Sequence, residues 1–113
     1  MTSCPFCRIA AGEGSARIVY QDKDITAFRD RNPQAPTHVL IIPNEHIESI
    51  HSIENGDVDV LGKLFVVARR IAGEEGLTAG YRLVVNTGSQ AGQSVFHLHM
   101  HLLGGRPMSW PPG

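Results

Sequence analysis

The chain has 113 residues, of which 42% are hydrophobic and 19% charged, and its formal net charge is -1. This length and composition favour a single domain over residues 1–113 and exclude a large multidomain enzyme, a disordered chain and a coiled coil. The near-zero charge argues against a protein that coats nucleic acid or an anionic membrane, so a small ligand is the expected partner.

Neither the apolar runs nor the amino terminus indicates a membrane or secreted protein. The longest apolar runs, at 39–42 and 64–68, are far shorter than the about 20 residues of a membrane-spanning helix. Residues 1–5 lack the basic and apolar segments of a secretory signal. We therefore expect no membrane partner and a cytoplasmic location, where cysteines stay reduced.

The first half of the chain predicts a β-hairpin followed by a buried strand. Residues 18–20 and 25–28 are apolar segments on either side of a polar tetrapeptide, which is typical of a hairpin. The proline-containing segment 31–37 predicts an irregular loop. Residues 38–42 then predict a central strand that Pro43 ends.

Apolar residues between positions 57 and 75 recur at helical spacing, which predicts the main helix. Asp57 is the expected N-cap and Gly76 the expected C-terminal stop. Gly62 and Gly73 lie inside this helix, where each costs roughly 1 kcal/mol of helix propensity. Close packing against a neighbour is our interpretation of these glycines.

Two more strands are predicted near the carboxyl end, at 81–86 and 95–103, with a glycine-containing loop between them. A helix laid across one face of such strands is an α+β arrangement.

His97, His99 and His101 alternate with apolar residues, so in an extended strand the three imidazoles share one face while the other face packs. His97 and His101 would then lie about 13 Å apart along the strand and would not share a metal ion. Three interpretations are open: an exposed polar face, a catalytic zinc pair with a third ligand elsewhere, or a histidine nucleophile that attacks phosphorus.

The loop at 86–94 carries glycines, hydroxyls and carboxamides but no carboxylate that would repel an anion. Its backbone N–H groups could surround a phosphate, although the same residues also form ordinary turns. Its position directly before the histidines favours the phosphate interpretation.

Cys4 and Cys7 have the spacing of metal ligands but supply only half a site. Free reduced thiols and a redox pair are the alternatives.

Several segments together resemble one known family. They are the alternating run 97–103, the turn 33–38, the loop 92–94 and the tail 104–113. On these segments the chain resembles the histidine triad (HIT) nucleotide-binding family, and its tail resembles the purine nucleoside phosphoramidase branch. The resemblance implies a HIT-like fold: a five-stranded antiparallel sheet with one long helix and a short N-terminal helix, the sheet being continued across a homodimer.

The resemblance also implies hydrolysis of the P–N bond of purine nucleoside 5′-phosphoramidates, such as AMP-lysine, with release of AMP or GMP. His99 would be the nucleophile that forms a covalent nucleotidyl-histidine, and His101 would bind the phosphate and assist proton transfer. Ser94 and His38 would complete the catalytic group. A regulatory or scaffold protein that binds purine nucleotides and a dinucleoside polyphosphate hydrolase are the alternative functions.

Nucleotide-binding roles follow from the same resemblance. Asp30 would accept the ribose hydroxyls, and Trp110 would reach the site of the neighbouring subunit. The purine would lie between Phe6, Ile9, Phe28 and Leu40, and the phosphate end would be held by Asn86, Gly92, Gln93 and Ser94 together with His99 and His101.

For the cysteine pair, the resemblance implies one structural Zn²⁺ per subunit, and it implies no organic cofactor. The ligands would be Cys4, Cys7, His46 and His97. A metal on the two histidines would shorten the hydrogen-bond relay of related proteins to His99 and His101. His51 matches no family residue and is interpreted as a surface histidine.

Overall fold

The computed structural model describes residues 3–113. The helices are α1 (Pro5–Ala10) and α2 (Val58–Glu74), and the strands are β1 (Ile18–Gln21), β2 (Ile25–Arg29), β3 (Thr37–Pro43), β4 (Tyr81–Val84) and β5 (Met100–Gly104). Short 3-10 turns occupy Ile50–Ser52, Asn55–Asp57 and Ser89–Ala91. Among the described helices, none is both long and apolar enough to cross a bilayer.

The five strands form one antiparallel sheet in the order β1-β2-β3-β5-β4. All seven residues of β3 are buried, as expected for a strand with neighbours on both sides. The register pairs Leu40 of β3 with His101 of β5, which places the histidine segment next to the central strand of the sheet. The predicted α+β fold, with its five antiparallel strands, long helix and short N-terminal helix, is confirmed.

The two faces of the sheet carry different layers because side chains alternate along each strand. One face packs on α2, and its buried residues include Val39, Ile41, Leu64, Val67, Ile71, Leu98, Met100 and Leu102. The other face packs on α1, where Phe6 joins Phe28, Leu40 and Ile42. The predicted division of the 97–102 segment is therefore confirmed, since its apolar residues face α2 and its imidazoles do not.

Both ends of α2 fall within one residue of the sequence prediction. Asp57 occupies the N-cap position as predicted, but its side chain does not cap α2 and instead accepts the Glu54 N–H of the preceding turn at 2.8 Å. Gly76 ends the helix with φ of 72°, and the Leu77 N–H returns to the Ala72 carbonyl at 2.9 Å. This pattern is a Schellman cap, which needs a left-handed residue that glycine supplies at little cost.

The close-packing interpretation of Gly62 and Gly73 is wrong for the single chain. A Cβ at either position would meet nothing within 4 Å, so both glycines face open space. The exposed face of α2 also carries Phe65 and Val66, which are 58% and 55% exposed.

The two C-terminal strands are shorter than predicted. β4 ends at Val84 rather than at residue 86, and β5 begins only at Met100. Proline at position 43 has no N–H to donate, so the β3–β5 ladder stops near it. The Leu98 N–H instead donates to the Ile47 carbonyl at 2.6 Å, which leaves residues 95–99 as an irregular approach to the strand.

Candidate functional site

A cavity of about 880 Å³ opens on the α1 face of the sheet. Eight of the residues predicted to bind nucleotide line it: Phe6, Ile9, Phe28, Asp30, Leu40, Ser94, His99 and His101. They come from α1, β2, β3, β5 and the loops next to them, so the fold brings together residues that lie far apart in sequence.

One wall of the cavity is apolar. Phe6 and Phe28 meet edge to face with their ring centroids 5.2 Å apart, and both side chains are buried. Leu40 lies beside Phe28 in the same cluster, and Ile9 of α1 packs against that cluster. Such a wall suits the flat apolar face of a heterocycle.

His99 lies beside this wall, in contact with Phe6, and has a fixed tautomer. Its Nδ1 lies 2.7 Å from the carbonyl oxygen of His97, and the pair is buried. Because a carbonyl oxygen only accepts, Nδ1 must carry the proton, and in the neutral ring the Nε2 lone pair is free. The ring of Phe6 stands perpendicular to the imidazole at 5.1 Å and fixes its orientation.

His101 is also held in one tautomer, through His38. The backbone N–H of Gln34 donates to His38 Nδ1 at 3.0 Å, so neutral His38 carries its proton on Nε2. That Nε2 donates to His101 Nδ1 at 2.9 Å. His101 therefore keeps its own proton on Nε2 and can donate it to a ligand in the cavity.

Burial keeps both His38 and His101 neutral. Desolvation, with repulsion from His99 and His38, lowers the pKa of His101 to about 4. Desolvation also lowers the pKa of His38, although the carboxylate of Asp30, 3.4 Å from His38 Nε2, opposes that shift. At neutral pH the two rings therefore act as hydrogen-bond donors without net charge.

The low pKa of His101 predicts a loss of stability in acid. In the unfolded chain a histidine has a pKa of about 6.5. Below that pH the ring of His101 therefore binds a proton in the unfolded chain while it stays neutral in the folded chain. The free energy of unfolding should fall as the pH drops from about 6.5 to about 4. His101→Gln should weaken this dependence when melting temperature is measured against pH, whereas His51→Gln, at an exposed site, should keep the dependence of the unmodified chain. Equal slopes for His101→Gln and the unmodified chain would refute the assignment.

The loop before β5 is held by Gln93, which is buried. Its side-chain oxygen accepts the Gly88 N–H at 2.8 Å, and its nitrogen donates to the carbonyls of Glu48 and Val95 at 2.8 and 3.2 Å. Gln93 is not among the residues that line the cavity, so it shapes the loop that presents Ser94.

The other predicted binding residues lie outside the cavity of the single chain. Gly92 has φ of 95°, and its N–H donates to the Ser89 carbonyl at 3.0 Å within a turn. Asn86 lies next to Gly92, since its Nδ2 would be 3.8 Å from a Cβ at that glycine. Trp110 is 81% exposed on the C-terminal tail, which is tied to β4 by Arg82 donating to the Ser109 carbonyl.

A second polar group lies on the other side of Phe6, where four predicted metal ligands meet. The ligand atoms of Cys4, Cys7, His46 and His97 all lie within 4.8 Å of one another. Nδ1 of His97 is 3.3 Å from the Cys4 sulfur and 3.5 Å from the Cys7 sulfur, and Nδ1 of His46 is 3.3 Å from the Cys7 sulfur.

A hydrogen bond to the backbone leaves Nδ1 of His97 available as a metal ligand. Its Nε2 donates to the Pro43 carbonyl at 2.8 Å, which leaves the Nδ1 lone pair directed at the cysteines. Histidine ligands of metals commonly donate their second nitrogen to a carbonyl in this way. Two thiols and two imidazoles form the donor set of a closed tetrahedral zinc site, so these residues fit that ion.

Asp30, His38 and His101 also lie close enough together to suggest a metal group. Both nitrogens of His38 are already used, since Nδ1 accepts from Gln34 and Nε2 donates to His101. Hydrogen bonding therefore accounts for this cluster. His97 and His101 belong to different groups, in agreement with the expectation that they do not share a metal.

A histidine nucleophile requires a carbonyl that fixes its tautomer, but the sequence did not identify which backbone groups orient the histidines. The carbonyls of Pro43 and His97 and the N–H of Gln34 set the tautomers of His97, His99 and His38. Because every residue carries such groups, no side-chain pattern marks them. The proline-containing turn before β3 is the one sequence signal that could have pointed to the Gln34 amide.

The chain is similar along nearly its whole length to proteins of one family. Residues 11–108 match the HIT domain family. The chain is 48% identical over 110 residues to a 14 kDa zinc-binding protein of Zea mays, covering 96% of this chain and 86% of that protein. A HIT family hydrolase from Legionella pneumophila superposes with a TM-score of 0.96 at 53% identity, covering 98% of this chain and all of the other. A histidine triad nucleotide-binding protein from Candida albicans superposes with a TM-score of 0.82 at 31% identity, covering 96% and 83% of the two chains.

Proposed function

Since this chain belongs to the HIT domain family, we propose that it binds purine nucleotides and hydrolyses the P–N bond of purine nucleoside 5′-phosphoramidates. The observation that carries the proposal is the imidazole of His99, which lines the cavity with its Nδ1 proton held by a carbonyl and its Nε2 lone pair free. The similarity to a HIT family hydrolase supports hydrolysis, and the similarity to a histidine triad nucleotide-binding protein supports nucleotide binding.

His99 is proposed as the nucleophile. Nε2 attacks phosphorus in line with the P–N bond, a bond from phosphorus to Nε2 forms, and the amine departs with a proton from solvent. Positive charge then develops on the ring, and the His97 carbonyl on Nδ1–H stabilises it. Water next attacks phosphorus, the bond to Nε2 breaks, AMP or GMP is released, and the surplus proton returns to solvent.

His101 is proposed to hold a phosphate oxygen. Its Nε2–H is the one proton it can offer, because Nδ1 is occupied by the bond from His38. A neutral donor of this kind needs no proton transfer to stabilise charge on the transferring group. The arrangement favours phosphate binding over proton transfer for His101, and His38 is the residue that positions it. Ser94, which lines the cavity, is proposed to lie beside the departing amine.

The remaining cavity residues suit a purine nucleoside. The apolar wall of Phe6, Phe28 and Leu40 matches the faces of the base. Asp30 lines the polar side of the cavity, and its carboxylate can accept from two ribose hydroxyls beyond the Asn32 N–H that it already binds at 2.8 Å.

Mass spectrometry of the enzyme quenched during turnover of an AMP-lysine phosphoramidate tests the reaction directly. We expect a mass increase of one nucleoside monophosphate located on His99, because the proposed intermediate is covalent. An adduct on another residue would disprove the assignment of the nucleophile. Single-turnover release of AMP without any adduct would disprove the covalent pathway.

One Zn²⁺ per chain is proposed at the Cys4, Cys7, His46 and His97 group. The donor set and the second-nitrogen bond of His97 support zinc, as does the similarity to zinc-binding proteins of Zea mays and Brassica juncea. When bound, the ion supplies structural cross-linking of four side chains. No organic cofactor is needed for the proposed reaction.

A homodimer is proposed from two unpartnered surfaces. β4 is an edge strand of the sheet, so one side of its backbone is free to pair with a second copy and extend five strands to ten. The outer face of α2 exposes Val58, Phe65 and Val66, and Gly62 on the same face leaves room for close approach. Trp110 is 81% exposed on the C-terminal tail, and we propose, as the family resemblance implies, that it reaches the cavity of the second copy.

Sedimentation at micromolar concentration tests the dimer. We expect a species of twice 12.3 kDa, and we expect Phe65→Glu to shift it to the monomer because a charge would be buried in the interface. Ile50→Glu is the matched control, since Ile50 is 44% exposed and lies in the 3-10 turn Ile50–Ser52, outside α2. A monomer alone for the unmodified chain would refute the dimer.

A further inference from the structure

The metal group and the nucleotide cavity share helix α1. Cys4 is the N-cap of this six-residue helix and Cys7 lies within it, so both sulfur donors are carried by α1. Phe6 and Ile9 of the same helix line the cavity. A shift of α1 that separates the cysteines from the histidines therefore also displaces part of the apolar wall.

The two sites also share the segment at 97–99. The imidazole of His97 faces the cysteine sulfurs, while the carbonyl of the same residue fixes His99 Nδ1 at 2.7 Å. A rotation of the His97 backbone would release both the ligand and the bond that sets the tautomer of His99.

Phe6 connects the two shared segments. Its ring centroid lies 6.0 Å from that of His97, 5.1 Å from that of His99 and 5.2 Å from that of Phe28. It is 8% exposed, so its position is fixed by these neighbours. Packing of this density transmits a displacement of one ring to the next.

Helix α1 depends on these contacts for its position. A helix of six residues is too short to be stable in water without tertiary contacts. Its polar contact with the sheet is a bond from Gln21 to the Ala10 carbonyl at an exposed site, and the ion pair between Arg8 and Glu13 is also exposed. The contacts that hold α1 against the sheet are therefore the apolar packing of Phe6, with Ile9 and Ala10 beside it, and the approach of the two cysteines to His46 and His97.

We infer that a metal ion at Cys4, Cys7, His46 and His97 and a purine nucleotide in the cavity bind cooperatively, each ordering α1 and the 97–99 segment for the other. The inference rests on the proposed nucleotide and metal sites and adds a coupling between them. The metal group thereby acts as a positioning device for Phe6 and His99 as well as a structural cross-link.

Binding measurements with AMP and Zn²⁺ test the coupling without any use of activity. We expect the protein with one Zn²⁺ to bind AMP about 10-fold more tightly in calorimetry than the chelator-treated protein. Because coupling is reciprocal, saturating AMP should raise the affinity for Zn²⁺ by the same factor in a chelator competition.

His46→Gln separates the coupling from direct damage to the cavity. His46 is exposed, lies 3.3 Å from the Cys7 sulfur and is not among the residues that line the cavity. Its variant should bind AMP weakly at low Zn²⁺ and regain affinity as excess Zn²⁺ fills the weakened site. His51→Gln, an exposed histidine outside both groups, should behave as the unmodified chain does.

The outcomes are distinct. AMP affinities that agree within about twofold for the zinc-loaded and chelated proteins would overturn the coupling and leave the proposed function standing. A His46→Gln protein whose weak AMP binding does not respond to added Zn²⁺ would also overturn it. Failure of every form to bind AMP would overturn the proposed nucleotide site, and failure of the unmodified chain to take up Zn²⁺ would overturn the metal site.

Discussion

His99→Ala should lower kcat for an AMP-lysine phosphoramidate by at least about 10⁴-fold, as expected when a covalent nucleophile is removed. His99 is the cavity histidine whose tautomer leaves Nε2 free, since His101 carries its proton on that atom. Steady-state and single-turnover kinetics give kcat and the rate of the chemical step.

Nucleotide affinity is the control for this variant. AMP affinity should fall by no more than about 10- to 100-fold, the worth of one hydrogen bond to a charged group, because the apolar wall and Asp30 remain. Turnover by His99→Ala at the rate of the unmodified chain would refute the proposed nucleophile. A variant that binds AMP without turnover also tests the physiological role. If it restores the phenotype of a deletion strain, binding is the role, and if it does not, hydrolysis is required.

The faces of the sheet could be predicted from the sequence because the side chains alternate between the two faces even in segments that lack regular strand hydrogen bonds. Leu98 lies outside β5, yet it packs in the same core cluster as Met100 and Leu102. The start of β5 could not be predicted, because the bond from the Leu98 N–H to the Ile47 carbonyl is a tertiary contact made by a distant loop. Local pattern therefore predicted the faces of this segment but not the extent of its ladder.

The site residues were predicted by type, whereas their protonation was not. Three alternating histidines indicate imidazole chemistry, but the tautomer of each ring depends on a backbone group brought near by folding. For Gln93, the residue type did not predict which groups the side chain contacts. Its carboxamide suits a phosphate ligand, but in the fold it is buried and binds three backbone groups of the surrounding loops.

Whether close packing explains the two glycines of α2 depends on whether a second chain covers this helix. Gly62 and Gly73 face open space in the single chain, so packing within the chain does not explain them. They lie on a helix that also exposes Phe65, and this is the surface that a second copy covers in the proposed homodimer. A sequence pattern of this kind predicts contact but does not identify the chain that makes it.

Protein purified without added zinc should contain about one equivalent of zinc per chain, and Cys4→Ser should remove it. The Cys4 sulfur lies 3.3 Å from His97 Nδ1 and accepts the Cys7 N–H at 3.3 Å, so its loss breaks the tetrahedral donor set. Because metal binding contributes directly to the free energy of unfolding, the melting temperature should fall by about 10 °C or more. Elemental analysis and thermal unfolding measure the two effects.

His51→Gln is the matched control for the metal prediction, because it removes an exposed histidine that is not one of the four ligands. It should retain both the zinc and the melting temperature. Chelation of the unmodified chain should reproduce the loss of stability in Cys4→Ser, and chelation of Cys4→Ser itself should change little, because no bound ion is left to remove. Less than half an equivalent of zinc in the unmodified chain, or equal loss of stability on chelating both proteins, would show that these four side chains do not hold a structural zinc ion.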